Sequence, residues 1–323
     1  MSQMIDFTVP STVPGRTLHA FRCVPEGEVK AVLQLSHGMV EFIDRYKPLA
    51  EYLAGRGILV TGHDHLGHGG SDDIALNLAA THVRAKADYG YFAEPDGNRA
   101  VLADLHAMTV RTKELYPGVP YFLLGHSMGS FYARQYLCEY GHELDGAIIM
   151  GTGWQPRAAI TGGLAVANAV AAVAGESATS DLVTELAFGS YNKLFAPNRT
   201  KVDWLSADES NVDDYIADPL CGADATVGLF RQMLHGIRFN QRMSHLRQMD
   251  KDMPVLFVAG DKDPVGSCGR GVRQTCDAFR QAGMRDCTLK LYPGLRHEIL
   301  NEKAYAAEIT KDIETWLLSR LEK

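Results

Sequence analysis

Three residues, in one order along the chain, suggest its chemistry. Ser127 sits in Gly125-His126-Ser127-Met128-Gly129, after the apolar run 120–124 and before a helix-like stretch, 130–139. Strand, G-x-S-x-G and helix in succession make a tight turn that lifts a serine hydroxyl above a sheet edge. A serine hydroxyl is a weak nucleophile at neutral pH. It needs a base within hydrogen-bond reach, and the base needs an acid to orient it. His297 is the only histidine after His245, which nearly forces the base. The acid lies in Gly260-Asp261-Lys262-Asp263-Pro264. Asp263 is the candidate, and Asp261, directly at a strand end, is its rival, with turn capping as the other reading of that residue. The 34 positions from Asp263 to His297 suit one helix and one strand, which brings two strand ends together. Taken singly, the three read as a buried serine in a turn, an Asp-Pro turn and a helix-capping histidine. Together, in serine, acid, histidine order and each after a buried strand, they read as a hydrolytic triad.

Acyl transfer through serine also needs two amide donors for the oxyanion. The residue after the nucleophile, Met128, supplies one. The loop Ser36-His37-Gly38-Met39, after an earlier buried strand, supplies the other through Met39, with Gly38 giving the backbone freedom to aim it. Gly38 and His126, beside these groups, count among the substrate-binding positions. A second cluster, His63-Asp64-His65 with His68, has good metal ligands but lacks the H-x-H-x-D-H order of a metallohydrolase loop and a downstream ligand cluster. It reads as a glycine-rich supporting turn, so neither a metal nor a cofactor is expected. Cys268, near the acid, reads as a passive buried thiol.

These residues need a scaffold that delivers strand ends side by side. Apolar runs at 31–35, 58–61, 120–124 and 254–259 read as buried strands, as does 144–150, with 288–292 as a further strand and 5–9 with 17–24 as an opening hairpin or two short strands. Helical spacing covers 46–56, 98–116, 130–139, 271–282 and 304–321. Strand and helix in alternation predict an α/β fold with a mostly parallel sheet. Residues 72–97 read as a surface excursion. From 154 to 247 the rhythm breaks. That block holds an Ala-rich segment, an amphipathic stretch at 180–194 and a helix-like piece at 226–239, and is read as a helical cap. Its apolar residues, Leu164, Leu186 and Phe188 among them, are candidates to receive an acyl chain.

Composition narrows the class further. The chain has 323 residues, and its net charge of −7 comes without a Lys/Arg stripe, which argues against nucleic acid. Residues 1–6 have no basic n-region or apolar h-region. The longest apolar stretch, 162–174, is too short to span a bilayer, so stable membrane insertion is not expected. Six cysteines without C-x-x-C pairing read as reduced thiols, and the cytoplasm is the expected location. Nothing here sets the oligomeric state.

Longer motifs carry a resemblance. His37-Gly38-Met39-Val40-Glu41-Phe42-Ile43-Asp44-Arg45-Tyr46 is similar to H-G-x-x-E-x-x-x-R-Y, Asp64-His65-Leu66-Gly67-His68-Gly69-Gly70-Ser71 to D-H-x-G-H-G-x-S, and Asp218-Pro219-Leu220 to a cap D-P-L segment. With the intact G-H-S-M-G, the chain resembles the α/β-hydrolase superfamily, in its monoacylglycerol lipase and lysophospholipase-like branch of serine aminopeptidase-like hydrolases. The resemblance maps the acid onto Asp263 and the base onto His297, and explains the histidine cluster without a metal. It implies an eight-stranded, mostly parallel sheet flanked by helices, with residues 1–153 and 247–323 as core and 154–246 as cap. It implies hydrolysis of a small-molecule acyl ester, a monoacylglycerol, a lysophospholipid or a relative. Acyl transfer, amide or peptide cleavage by the same residues, and a non-catalytic receptor on this fold are the alternatives.

Overall fold

The computed structural model describes residues 2–71 and 89–321. Gln3–Pro10 (β1) and Thr17–Val24 (β2) form an antiparallel hairpin at one sheet edge. The apolar runs become strands covered on both faces: Ala31–Ser36 (β3), Ile58–His63 (β4), Tyr121–His126 (β5), Gly146–Met150 (β6) and Val255–Gly260 (β7) are buried at every position. Cys287–Tyr292 (β8) closes the far edge. The eight strands run in the order β1-β2-β4-β3-β5-β6-β7-β8, and every pair from β4 to β8 is parallel.

Register decides where chemistry can sit. Ser36 lies opposite Gly125, His126 opposite Met150 and Gly260 opposite Tyr292. The carboxyl ends of β3, β5, β6, β7 and β8 therefore share one edge. The chain winds from β3 to β4 on one side and to β5 on the other, which leaves a crevice at that reversal.

Helices cover both faces. Lys47–Ala54 (α1) carries a proline in its first turn, where a missing N–H costs nothing. Gly97–Leu115 (α2) starts where the Asp96 side chain accepts the Arg99 amide. Met128–Glu139 (α3) is buried over most of its length. Five α-helices lie between β6 and β7: four longer ones, Arg157–Ala174 (α4), Asp181–Phe188 (α5), Glu209–Ala217 (α6) and Val227–Asn240 (α7), and a single short turn, Met243–Leu246. Arg270–Gln281 (α8) and Ala306–Leu318 (α9) complete the chain. Leu49 and Leu53 of α1 and Ile309 and Ile313 of α9 pack with Leu33, Leu35 and Leu124 on one face. Leu105, Tyr132 and Phe279, from α2, α3 and α8, pack with Val32 and Leu123 on the other. Between β6 and β7, α4 rests on α7 and α7 on α3, with Ile160, Leu164 and Ile237 meeting Phe131 and Val265.

Three expectations need correction. Residues 89–93 are not a surface excursion: Tyr89, Phe92 and Ala93 are buried, and Phe92 meets Tyr132 edge-on. The Gly90 carbonyl accepts both the amide and the hydroxyl of Thr226, which ties this segment to the start of α7. Residues 94–96 of the same reading are exposed, as expected, and 72–88 lie outside the described residues. Second, within the block read as helical, α6 is a further helix that the sequence pattern does not single out. Third, the apolar stretch 162–174 is part of a longer helix. The 18 residues of α4 reach the length and composition of a membrane span, and 17% of them are buried. Helical phase continues back to Arg157 because nothing before Gly162 breaks it.

Candidate functional site

Ser127 follows β5 with φ 53 and ψ −119, a region that non-glycine residues rarely enter. Its amide donates to the Met150 carbonyl at 3.0 Å, so β6 helps hold the turn. The flanking glycines are required by contact. A Cβ on Gly129 would stand 2.0 Å from the Ser36 carbonyl oxygen, and one on Gly125 2.3 Å from that of Gly129. The turn is tight because helix α3 starts directly against the end of β3.

Asp263 and His297 meet at the same edge. His297 Nδ1 donates to Asp263 Oδ2 at 3.0 Å, and both side chains are buried. The other oxygen, Oδ1, accepts the Val265 amide at 2.9 Å, and the Cys268 amide binds the Asp263 carbonyl at 2.8 Å. The carboxylate is thereby fixed by its own loop. Asp261 faces elsewhere: it accepts the Gly294 amide at 2.8 Å and links the loops after β7 and β8. His297 sits over the end of β6, where a Cβ on Gly151 would lie 3.1 Å from its Cε1. Trp204 covers it with ring centres 5.2 Å apart. The structure thus gathers Ser127, Asp263 and His297 around the ends of β5, β6, β7 and β8.

The loop after β3 approaches the serine closely. A Cβ on Gly38 would be 3.1 Å from Ser127 Cβ and 2.4 Å from Glu41 Oε1, so only glycine fits. Among the described residues, the Met39 and Met128 amides have no acceptor within the protein, which leaves both available to an oxyanion.

A buried charged network, absent from the sequence reading except as an unassigned motif, holds this loop. Glu41 accepts the Gly38 amide at 2.5 Å and the Tyr46 hydroxyl at 2.9 Å, and lies 3.1 Å from His126 Nδ1. Arg45 donates to Glu41 at 2.8 Å and to both oxygens of Glu298 at 2.7 Å, while Asn211 of α6 donates to Glu298 at 2.9 Å. Burial penalises the charged forms of Glu41 and Glu298. His126 and Arg45 outweigh that penalty for Glu41, and Arg45 does so for Glu298, so both carboxyls stay below the usual range. Burial likewise opposes a charged His126, but Glu41 raises its pKa. His126 Nε2 lies 3.4 Å from the His297 carbonyl, and only the doubly protonated ring donates on both sides. His126, expected among substrate-binding positions, is thus buried under the site, bracing the loops of Gly38 and His297.

The histidine cluster is a buried support. Asp64 accepts the Ile43 and Gly70 amides at 2.7 and 2.8 Å and bonds His19 Nδ1 at 2.9 Å. His37 donates through Nδ1 to the Gly38 carbonyl at 2.7 Å and accepts the His65 amide on Nε2 at 2.9 Å, which requires a neutral ring. Burial pushes His37 and His65 down from the ordinary histidine value, and His63 and His68 down to about 3. Among the described residues, the set with metal-ligand spacing is Asp6, His19 and Asp44, which includes none of these four rings. There the Lys47 ammonium already bridges Asp6 and Asp44, at 3.0 and 2.8 Å.

The acyl-chain candidates separate. Leu164 is buried in the contact between α4 and the core. Phe188 stacks on Trp204, which lies on His297. Leu186 is 62% exposed, because α5 turns Val183 and Phe188 inward and leaves Leu182 and Leu186 outside. Cys268 is exposed, not buried, since the loop after Asp263 turns outward through positive φ at Ser267 and Cys268.

Comparison with known proteins agrees with this geometry. The model of the Hydrolase_4 family, described as serine aminopeptidase, S33, matches residues 27–304. The human monoglyceride lipase is 30% identical over 309 residues, covering 92% of this chain and 85% of that protein. A monoacylglycerol lipase of Mycolicibacterium smegmatis is 28% identical over 302 residues, covering 92% and 91%. Among solved structures, a thermostable carboxyl esterase from Bacillus coagulans in complex with glycerol has the same fold, with a TM-score of 0.89 at 24% identity and coverage of 99% and 100%. With the family match spanning most of its length, the chain belongs to the serine aminopeptidase, S33, family, in the monoacylglycerol lipase-like branch of the α/β-hydrolases.

Proposed function

We propose that this carboxylic-ester hydrolase cleaves monoacylglycerols or closely related acyl esters through an acyl-enzyme on Ser127. Ser127 Oγ attacks the ester carbonyl as His297 Nε2 takes its proton. Asp263 holds the Nδ1 tautomer and stabilises the imidazolium. The Met39 and Met128 amides take up the negative charge on the carbonyl oxygen. His297 returns the proton to the leaving alcohol, and water releases the acid by the same steps in reverse. Residues 154–246 act as the cap, and the line from Trp204 to Phe188 receives the acyl chain, with Leu164 beneath. The observation that carries the mechanism is the buried His297–Asp263 hydrogen bond at the edge where Ser127 stands at positive φ.

Similarity to lipases acting on monoglycerides supports the substrate class, as does the apolar lining of the cap contact. Six free thiols suit a reducing cytoplasm, with the cap resting on the core rather than inserted in a bilayer. The test is hydrolysis of p-nitrophenyl esters from acetate to palmitate, 1-monoacylglycerols and lysophosphatidylcholine by wild type and Ser127→Ala. Loss of the serine is expected to cost roughly 10⁴–10⁶ in turnover. Equal rates in both proteins refute the mechanism, and activity confined to acetate and lysophospholipid refutes the substrate.

A further inference from the structure

A second recess lies away from Ser127, where the chain crosses between core and cap. It is a cleft of about 650 Å³. Arg157 at the start of α4 lines one side, and Arg270 and Arg273 on α8 line the other. Trp154 and Gln241 stand at the two crossing points themselves, and they too face the cleft. These crossings are tied together: the Gln155 amide donates to Gln241 Oε1 at 2.8 Å, and Gln241 Nε2 donates to the Gln155 carbonyl at 2.7 Å.

The charge of this cleft is opposite to that of the molecule as a whole, which carries a net −7. Among the described residues, eight arginines face carboxylates. Among the described residues, none of Arg157, Arg270 and Arg273 has a carboxylate or carbonyl partner. The one acid in the cleft, Asp277, is held 3.2 Å from Arg280 on the same helix. Three unpaired guanidiniums on opposite walls repel one another without an anion between them. Guanidinium forks match phosphate oxygens in pairs. The volume exceeds that of a bare inorganic ion and fits an organic phosphate, whose carbon portion would lie against Trp154 and Ala278.

We propose that this cleft binds a small organic phosphate or diphosphate, which bridges Arg157 of the cap to Arg270 and Arg273 of the core. Free phosphate compounds and the phosphomonoester headgroup of an anionic lipid share this chemistry. Cys268 opens into the same cleft and is the exposed cysteine of the six, so its thiol reports occupancy.

The test uses pyrophosphate as the probe, followed by titration calorimetry at low salt and by the rate of iodoacetamide labelling at Cys268. Wild type is compared with Arg157→Gln, with Arg270→Gln/Arg273→Gln, and with Arg111→Gln, an exposed arginine on α2 that controls for net charge. Saturable binding that slows labelling, weakens about tenfold or more in the cleft variants and survives in Arg111→Gln supports the site. The substituted side chains are exposed, and unchanged melting without probe verifies that the variants fold. Absence of saturable binding, or equal weakening in the Arg111 control, overturns it. Vesicles of phosphatidylcholine with and without phosphatidic acid separate the sources. Cleft-dependent sedimentation with phosphatidic acid assigns a lipid headgroup, and pyrophosphate binding without sedimentation assigns a soluble phosphate.

Discussion

Mild acid should destabilise this protein well before its carboxylates titrate. Four buried rings, His37, His63, His65 and His68, have pKa values below the ordinary 6.5, and burial is the main cause in each. Their stabilisation is complete above the unfolded pKa and is lost as pH falls below it, since the unfolded chain then binds protons that the native fold refuses. His63 and His68, at about 3, remain neutral in the fold throughout pH 6.5 to 5. A full proton of difference is worth ~1.4 kcal/mol per pH unit, and because the unfolded ring is half protonated at 6.5 these two rings alone remove roughly 3 kcal/mol over that interval. His37 and His65 act in the same direction. His19 and His126 are raised instead, so their contribution is fully present below 6.5 and adds no slope there. Glu41 and Asp64, both depressed, lose theirs only in stronger acid. The pH window from 6.5 to 5 is therefore governed by the histidines of depressed pKa, the four buried rings and, more weakly, the exposed His235. Urea unfolding at half-unit steps should give an uptake of two to four protons from these rings. His63→Leu, which removes a ring with neither nitrogen partnered, should lower that slope by about one proton. A wild-type slope below one proton refutes the reasoning.

Other substitutions test the site's construction. Gly129→Ala drives a methyl group into the Ser36 carbonyl and should cost about 3 kcal/mol or more in urea unfolding, with loss of turnover. Arg45→Met leaves Glu41 and Glu298 buried without their cation, and should destabilise by about 3–5 kcal/mol, read from the same midpoints. Asp263→Asn preserves the shape of the acid but favours the wrong histidine tautomer, so kcat should fall roughly 10⁴-fold with KM little changed in steady-state kinetics.

The sheet was readable because its central strands are covered on both faces, so their burial is written as unbroken apolar runs such as 31–35 and 254–259. Helix α6 was hidden by the opposite circumstance. Glu209, Asp213 and Asp214 make its outer face, and only Asn211, Val212 and Tyr215 turn inward. Residues 89–93 were misread because aromatic and glycine residues around a tight turn have no periodicity, and their burial depends on α3 and α7. Within the candidate site, the meeting of Asp263 and His297 at the sheet edge that carries Ser127 was legible from chain order and from the strand ends they follow. The Arg45–Glu298 pair was not, since its partners stand 253 positions apart and only the fold makes them neighbours. Trp204 over His297 was equally out of reach, because the loop that delivers it carries no pattern of its own.

The paired amides of Gln155 and Gln241 have a consequence for engineering. They hold the points of departure and return of an 86-position excursion within one side chain's length of each other. On the proposed domain division, the segment they bracket is a cassette: a foreign cap of different size, or a short linker in its place, should splice there while β6 still hands over to β7. Ser127, Asp263 and His297 all lie outside the splice points, so on the proposed mechanism a library of caps can be screened on one unchanged set of reacting groups.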